Sequence, residues 1–303
     1  MMTMMRNIFL AAMGLVFFIS CKNDDDNTVE IEVRDRGEVQ VESSANLTAY
    51  LDTHFYNYEE FETPPADFDY KIRFDTISGD NADKTPLSSQ VITRQYTFEE
   101  TEYELYILKA REGEGVQPTF ADSTFLNYEG RVVGGNRFDV AISPVWFDLS
   151  QVVFGFANGV SELKAGTQFT QNADGTFDFG NDYGIGAVFI PSGLGYFNGS
   201  GPGFGSYSDL VFTFDLFRAV EDTDNDRDGV PNWMEDVNGN NYVNELGDDT
   251  DGDRVPNYLD TDDDGDGTST REEINLDEDG NLVLPFPDSD NDGTPDYLDP
   301  EIS

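Results

Sequence analysis

The chain has 303 residues, with 17 Lys+Arg against 61 Asp+Glu and a formal charge of −44. A surface this acidic repels nucleic-acid phosphates and excludes DNA or RNA as a partner. A single cysteine, Cys21, and a single histidine, His54, exclude an internal disulfide framework and any zinc site or triad built on several histidines.

At the N-terminus, Arg6 precedes an apolar stretch from Ile8 to Ile19 that is too short to span a bilayer. It ends in Phe18-Ile19-Ser20-Cys21, which resembles the lipobox of bacterial lipoproteins. That resemblance implies a signal peptide over 1–20, lipidation of Cys21, and an outer-membrane lipoprotein facing the periplasm or the cell surface. Acyl chains on Cys21 would hold the protein to a leaflet by burying methylenes. The following Lys22-Asn23-Asp24-Asp25-Asp26 resembles the surface-export signal of Bacteroidetes lipoproteins and reads equally as a solvated linker. Residues 21–40 are polar and read as an acidic tether.

Residues 41–104 form an N-terminal extension with a helix and strands. From Ser43 to Phe61, Leu47, Tyr50, Leu51, His54 and Phe55 recur at helical spacing, and Pro64-Pro65 ends the element. His54 lies on that apolar stripe, which makes it a packing residue rather than a ligand. Tyr70–Phe74, Gln90–Phe98 and Tyr103–Leu108 alternate as strands. The extension is open to two readings, added strands of the following sheet or a dimerising segment.

From Thr124 to Val220, short apolar alternations are broken by glycine turns such as Gly134-Gly135, and Gln151–Gly159 fits one short helix. The pattern predicts an α+β fold, a small antiparallel sheet with one helix on it. The texture changes at Val220, which sets domain boundaries of 105–220 and 221–303.

Six motifs occur in one order within 105–220. They are Asn127-Tyr128-Glu129-Gly130, Gly134–Asp139, Pro144–Leu149, Gln151–Phe156, Ile190–Tyr196 and Leu210–Leu216. Together they resemble the FKBP-type peptidyl-prolyl cis/trans isomerases. The resemblance implies an FKBP-like sheet wrapped on one short helix and an apolar pocket for a proline ring. Its walls would be Tyr128, Phe138, Asp139, Val145, Val152, Val153, Phe156, Tyr196 and Phe212. It also implies prolyl isomerase activity on Pro-containing protein segments, with no cofactor for catalysis. Tyr196 would donate a hydrogen bond to a substrate carbonyl, and Asp139 would order the pocket. Val145 stands where the family usually has Phe, Phe156 where it usually has Trp, and the loop Phe197–Ser208 lacks the family's Ile-Pro-Pro text. Those departures admit an alternative on the same fold, a non-catalytic binding or chaperone module, or an adhesive surface lipoprotein.

From Glu221 to Ser303 there are 28 acidic residues against three basic ones. A solvated acidic tail and a set of cation sites both fit that composition. Spacing decides between them. Asp224, Asp226, Asp228, Gly229, Asn232 and Glu235 occupy positions one, three, five, six, nine and twelve of a loop. Three more copies follow. Asp249, Asp251, Asp253, Asn257 and Asp260 form one, with Arg254 in place of glycine. Asp262, Asp264, Asp266, Gly267, Thr270 and Glu273 form another. Asp288, Asp290, Asp292, Gly293, Asp296 and Asp299 form the last. Carboxylates at alternate positions of a curled loop converge, and Ca²⁺ takes about 6–8 oxygen ligands. Proline recurs at position eight (Pro231, Pro256, Pro295), which a disordered tail does not explain. The segments resemble thrombospondin type 3 repeats without their cysteines, and structural calcium would make them a semi-rigid stalk or a small module. Asp236-x-Asn238-x-Asn240 is a degenerate fifth copy.

Overall fold

Three consecutive apolar runs in this chain are long enough to be strands and carry apolar residues at odd and even positions alike, so both faces of the sheet they form must be covered. The computed structural model describes residues 33–302. The signal peptide, Cys21 and the acidic cluster after it lie outside the described residues. No helix among the described residues is long and apolar enough to cross a membrane.

The chain order is α1 (Arg36–Thr53), β1 (His54–Tyr56), α2 (Tyr58–Glu62), β2 (Phe74–Thr76), β3 (Val91–Phe98), β4 (Thr101–Arg111), β5 (Ser123–Val132), β6 (Arg137–Asp148), α3 (Phe154–Val160), β7 (Phe169–Gln171), β8 (Phe177–Phe179), β9 (Gly184–Ile190), β10 (Leu210–Val220) and α4 (Thr270–Glu273). The main sheet is antiparallel in the order β3-β4-β9-β10-β5-β6.

Alternation along the central strands divides the core. Leu105 and Ile107, Val188 and Ile190, and Phe212, Phe214 and Leu216 face α3 with Phe156, Ala157 and Val160. Tyr106, Leu108, Ala187, Phe189 and Val211 face the opposite way and are covered by Leu47, Leu51, Tyr56 and Leu87. The N-terminal extension is therefore the second layer of the sheet. The expected boundary at residue 105 falls inside β4, whose pairing with β3 brings the sheet back to Val91.

Helix α1 starts earlier than expected. The Asp35 side chain accepts a hydrogen bond from Glu38 N at 3.0 Å and caps it, so helix replaces the expected tether from Arg36 on. Val39, Ser43, Leu47 and Leu51, each four residues apart, make its buried stripe. His54 ends this helix half-buried, stacked on Tyr50 at 3.8 Å with Nδ1 3.0 Å from the Tyr50 carbonyl oxygen. Of the expected strand Tyr70–Phe74, only Phe74 lies in β2. The expected helix Gln151–Gly159 is a tight turn at Leu149–Gln151 followed by α3, because the β-branched pair Val152-Val153 is extended.

Beyond Val220 the acidic loops fold back onto the sheet domain as a module and do not project as a stalk. Val243 and Tyr258 pack with Ala121, and Tyr242 meets Phe98 and Phe154 at 5.7 and 6.1 Å. Val230, Ile274 and Tyr297 form the module's own small core.

Substituting Leu47→Ala should cost about 2–5 kcal/mol of stability, the range for a large-to-small change in a packed core. Val41→Ala, on the exposed side of the same helix, should change it by less than ~0.5 kcal/mol. Urea denaturation of the two variants checks this, and equal effects would contradict the layer assignment.

Candidate functional site

Two places on the molecule gather chemistry-bearing side chains. One is a cavity of about 220 Å³ on the α3 side of the sheet. It is lined by Tyr128 from β5, Asp139 and Phe147 from β6, Gln151, Val152 and Val153 from the turn before α3, Phe156 from α3, Tyr196 after β9, and Phe212 from β10. Phe156 lies 5.1 Å from Phe212, 5.9 Å from Phe147 and 6.1 Å from Tyr128, each edge-on. This edge-to-face arrangement presents ring hydrogens and faces to one small apolar space. Gly130 permits the close packing behind it. A Cβ there would stand 2.7 Å from Phe212 and 2.9 Å from Phe138.

The mouth is polar. Tyr128 Oη donates to Asp139 Oδ2 at 2.6 Å, and the backbone N–H of Val140 donates to Asp139 Oδ1 at 2.8 Å. Both Asp139 oxygens are thus engaged, which fits an ordering role. Burial, and then the bond to Asp139, raises the Tyr128 phenol well above its ordinary pKa. Tyr196 is 43% exposed at the rim, its ring stacked on Phe204 at 4.8 Å. Burial and the nearby Asp139 charge raise its phenol too. Of the glycine-rich loop Phe197–Ser208, no residue lines the cavity.

The structure gathers seven of the nine expected wall residues. Phe138 does not line the cavity. It packs behind Phe212 at 5.6 Å and against Phe204 at 5.0 Å. Val145 is exposed and does not line it either. It follows an irregular stretch in which β6 advances from Ala141 to Val145 while β5 advances from Tyr128 to Leu126. Phe147, two residues on and on the same strand face, takes the wall position. Gln151 is the other addition. Its amide donates to the Tyr258 hydroxyl, so the acidic module touches the cavity's own lining. A second hollow of about 610 Å³ lies on the opposite face, among Asp69, Lys71, Arg73, Asp75, Glu129 and Arg131. Its walls are charged and suit a proline ring poorly.

The acidic loops share most of their internal wiring. In the first, second and fourth loops position one accepts from the backbone of position six, as in Gly229 N to Asp224 Oδ2 at 3.1 Å and Arg254 N to Asp249 Oδ2 at 2.9 Å. Position three accepts from five and five from seven, as in Asp253 N to Asp251 Oδ1 and Val255 N to Asp253 Oδ1. Position six has φ of 108° at Gly229, 98° at Gly267 and 103° at Gly293, and Arg254 takes φ 81° in the same place. Glycine adopts that left-handed conformation without strain.

The triads Asp224/Asp226/Asp228, Asp249/Asp251/Asp253, Asp262/Asp264/Asp266 and Asp288/Asp290/Asp292 each bring carboxylate oxygens within 4.8 Å of one another. Asp228 also belongs to a fifth group with Glu235 and Asp263. Position twelve faces its own triad in three loops. The carboxyls of Glu235, Asp260 and Glu273 are raised by burial and then by the charges of those neighbours. Asp299 accepts from Glu301 N at 3.0 Å.

Position nine has a loop-closing role. Asn232 Oδ1 accepts from Asn225 N, Asn257 Oδ1 from Thr250 N, Thr270 Oγ1 from Asp263 N, and Asp296 Oδ1 from Ser289 N. In all four copies position nine closes the loop onto position two. Asn232, Asn257 and Asp296, expected above among the ligands, act here as loop-closing acceptors, and each bonded oxygen keeps a second lone pair.

The triads fit a hard cation. Oxygens of Asp226, Asp228, Asp264, Asp266, Asp288, Glu235 and Glu273 are buried without a hydrogen-bond partner. Leaving such groups unpaired is costly, and clustered carboxylates repel one another in addition. Asp236 repeats part of the wiring through Asn241 N at 2.8 Å, and Asn240 Oδ1 and Asp248 Oδ2 are likewise buried and unpaired.

Among known proteins, a family described as BamM C-terminal matches residues 225–287. Over 112 residues, 36% of this chain, the sequence is 37% identical to the Probable FKBP-type peptidyl-prolyl cis-trans isomerase FkpA of Neisseria meningitidis serogroup B, covering 35% of that protein. Over 108 residues, 34% of this chain, it is 28% identical to the peptidyl-prolyl cis-trans isomerase Mip of Coxiella burnetii, covering 40% of it. The chain thus spans less than half the length of these curated relatives. Of solved structures, FkpA from Escherichia coli aligns with 60% of this chain and 62% of its own, at 19% identity and a TM-score of 0.34. A peptidyl-prolyl isomerase from Pseudomonas syringae pv. tomato aligns with 38% and 74%, at 22% identity and a TM-score of 0.31.

Burial, and next the neighbouring carboxylates, raises Asp228 to about 6, Asp226 to about 8 and Asp263 to about 9. In the unfolded chain these groups titrate near ~4. Between those values the folded, metal-free module binds more protons than the unfolded chain. Its stability is therefore full below about pH 4 and is lost as pH rises toward 9. Thermal melts in chelator should show Tm falling from pH 5 to pH 9, and excess Ca²⁺ should remove the slope. A flat profile in chelator would contradict this packing of the carboxyls.

Proposed function

We propose that the sheet domain is a peptidyl-prolyl cis/trans isomerase acting on Pro-containing segments of exported proteins. The observation that carries this reading is the ring-lined cavity of about 220 Å³ between Tyr128, Phe147, Phe156 and Phe212, large enough to admit a prolyl ring and bordered by Tyr196. The similarity of about a third of the chain to isomerases supports it.

The barrier to be lowered, ~18–20 kcal/mol, comes from amide resonance. Resonance places charge on the amide oxygen and nitrogen. Water stabilises that planar ground state, and the ring-lined cavity does not. The twisted amide is less polar and fits the cavity better, so the differential favours rotation. Val152, Val153 and Phe156 hold the proline ring. Asp139 fixes the Tyr128 ring through its hydrogen bond. Tyr196 donates to the carbonyl of the residue before proline and orients the rotating group. No proton is transferred and no bond to the enzyme forms.

In the same proposal the acidic module holds structural calcium. Asp224, Asp226 and Asp228 with Glu235, Asp249, Asp251 and Asp253 with Asp260, Asp262, Asp264 and Asp266 with Glu273, and Asp288, Asp290 and Asp292 with Asp299 would supply the carboxylates. The buried, unpaired oxygens of these loops support that assignment. Calcium would neutralise the clustered charge and stiffen the module against the turn at Gln151. Extracellular calcium near millimolar would fill sites of about 10⁻⁴–10⁻³ M affinity. Lipidation at Cys21 would hold the protein on the outer membrane.

Exchange of a Pro-containing peptide, followed by NMR without a coupled protease, should show catalysis by the calcium-loaded protein. Tyr196→Phe should lower kcat/KM about five- to tenfold, the loss of one hydrogen bond worth ~1–1.5 kcal/mol. Phe156→Ala should lower it further. Peptide binding without accelerated exchange would establish the non-catalytic binding module instead. Separately, near-UV circular dichroism should change on adding millimolar Ca²⁺ to chelated protein, and no change would remove the calcium assignment.

A further inference from the structure

The four acidic loops differ at position two, where they carry Asn225, Thr250, Asp263 and Ser289. Three of these side chains are already paired, two within their own loop and Asn225 with the end of β6. Asn225 Nδ2 donates to Asp148 Oδ2 at 2.8 Å, Thr250 Oγ1 accepts from Asn257 Nδ2 at 2.9 Å, and Ser289 Oγ donates to Asp296 Oδ2 at 2.7 Å. The third loop alone has an acid there, and that acid leaves its own loop. Asp263 is 2% exposed, neither of its carboxylate oxygens has a hydrogen-bond partner, and one lies within 4.8 Å of oxygens from Asp228 and Glu235 in the first loop.

Those two neighbours are in the same condition. Glu235 is 1% exposed with both oxygens unpaired, and Asp228 is 2% exposed with Oδ2 unpaired. Asp228 Oδ1 is used by Val230 N at 2.7 Å. The nearby cation, Arg271, directs Nη1 to the Asp228 backbone carbonyl at 3.4 Å. Three buried carboxylates from two loops therefore meet, with five oxygens among them that have no hydrogen-bond partner within 3.5 Å and only the Thr270 hydroxyl as a nearby donor to Asp263. Buried polar groups are ordinarily paired, so three buried carboxylates facing one another call for a counter-charge.

We propose that Asp228, Glu235 and Asp263 form an inter-loop site for a hard divalent cation, which clasps the first acidic loop to the third. Oxygen-only ligands with free lone pairs suit calcium rather than a transition metal. Bridging position two of one loop to positions five and twelve of another makes the order of the loops matter. Without the cation the two loops repel each other at their contact. The clasp rests on the calcium reading of the module and adds to it a residue outside the twelve-residue pattern.

The test uses the full chain, stripped with chelator. Calcium titration by calorimetry, terbium luminescence, and Tm with and without Ca²⁺ are compared for the wild type, Asp263→Asn and Asp290→Asn, each checked for native far-UV circular dichroism and a monodisperse elution profile. Asp263→Asn is expected to remove one calcium ion from the stoichiometry or weaken one site at least tenfold, and to shrink the calcium-induced rise in Tm. Asp290→Asn, in the fourth loop, should leave that inter-loop site intact. Crystals of the wild-type protein soaked in terbium should show anomalous density between Asp228, Glu235 and Asp263, a measurement independent of whether the variant folds. Unchanged stoichiometry, affinity and Tm shift in Asp263→Asn, or no anomalous peak there while the other loops are occupied, overturns the clasp alone. Absence of calcium binding in the wild type overturns the calcium reading and the clasp together.

Discussion

Coverage of both faces of the sheet is the constraint from which the rest of this molecule follows. Strands β4, β9 and β10 carry apolar side chains alternately up and down, and neither set can be left in water. One set is sealed by α3 and the aromatic cluster around Phe156. The other is sealed by α1 and the segment after it, through Leu47, Leu51, Tyr56 and Leu87. At ~25 cal/mol per Å² of apolar surface buried, each layer contributes far more than any polar contact on this surface. The cavity exists because α3 is only seven residues long. It packs on β9 and β4 but leaves a gap toward β10, β5 and β6 that rings line rather than fill.

The acidic module is stabilised on a different principle. Its apolar core is small, centred on Val230, Ile274 and Tyr297. Its backbone is held by side-chain carboxylates that accept from N–H groups two and five residues on. Each carboxylate that curls the loop also adds charge to its centre, so good loop geometry creates electrostatic repulsion that a bound cation would relieve. The module is not an appendage. Asn225 binds Asp148, Asn232 Nδ2 donates to the Ala121 carbonyl at 3.1 Å, Asn158 Nδ2 donates to the Asn241 carbonyl at 3.2 Å, and Tyr258 accepts from Gln151. Three of these four contacts fall on the end of β6, the turn at Gln151 and α3, elements that build the cavity. The loops are thereby joined physically to the pocket wall.

Local rules made much of this legible in advance. Strands β3 and β4, the α+β class, and the texture change at Val220 follow from side-chain periodicity and from glycine and proline at turns. The carboxylate triads follow from alternate spacing alone. Seven of nine pocket residues followed from motif order. The two misplaced ones, Phe138 and Val145, sit in or beside irregularities of β6, where extra residues alter which side chains reach a given place. Asp263 was visible as the single acid at position two, but its destination was not, since it is a contact between loops separated by a second copy.

What the sequence determined by itself was everything set by near neighbours along the chain, namely the alternation of strands, the curl of each acidic loop and the residue types facing a pocket. Tertiary structure decided which layer the N-terminal extension covers, that position nine closes each loop onto position two, that Phe147 replaces Val145, and that the acidic module rests on the sheet domain. The physical reason is that periodicity and turn chemistry act over a few residues. The partner of a buried oxygen or an apolar face is chosen by what the whole chain brings close, and no local pattern encodes that choice.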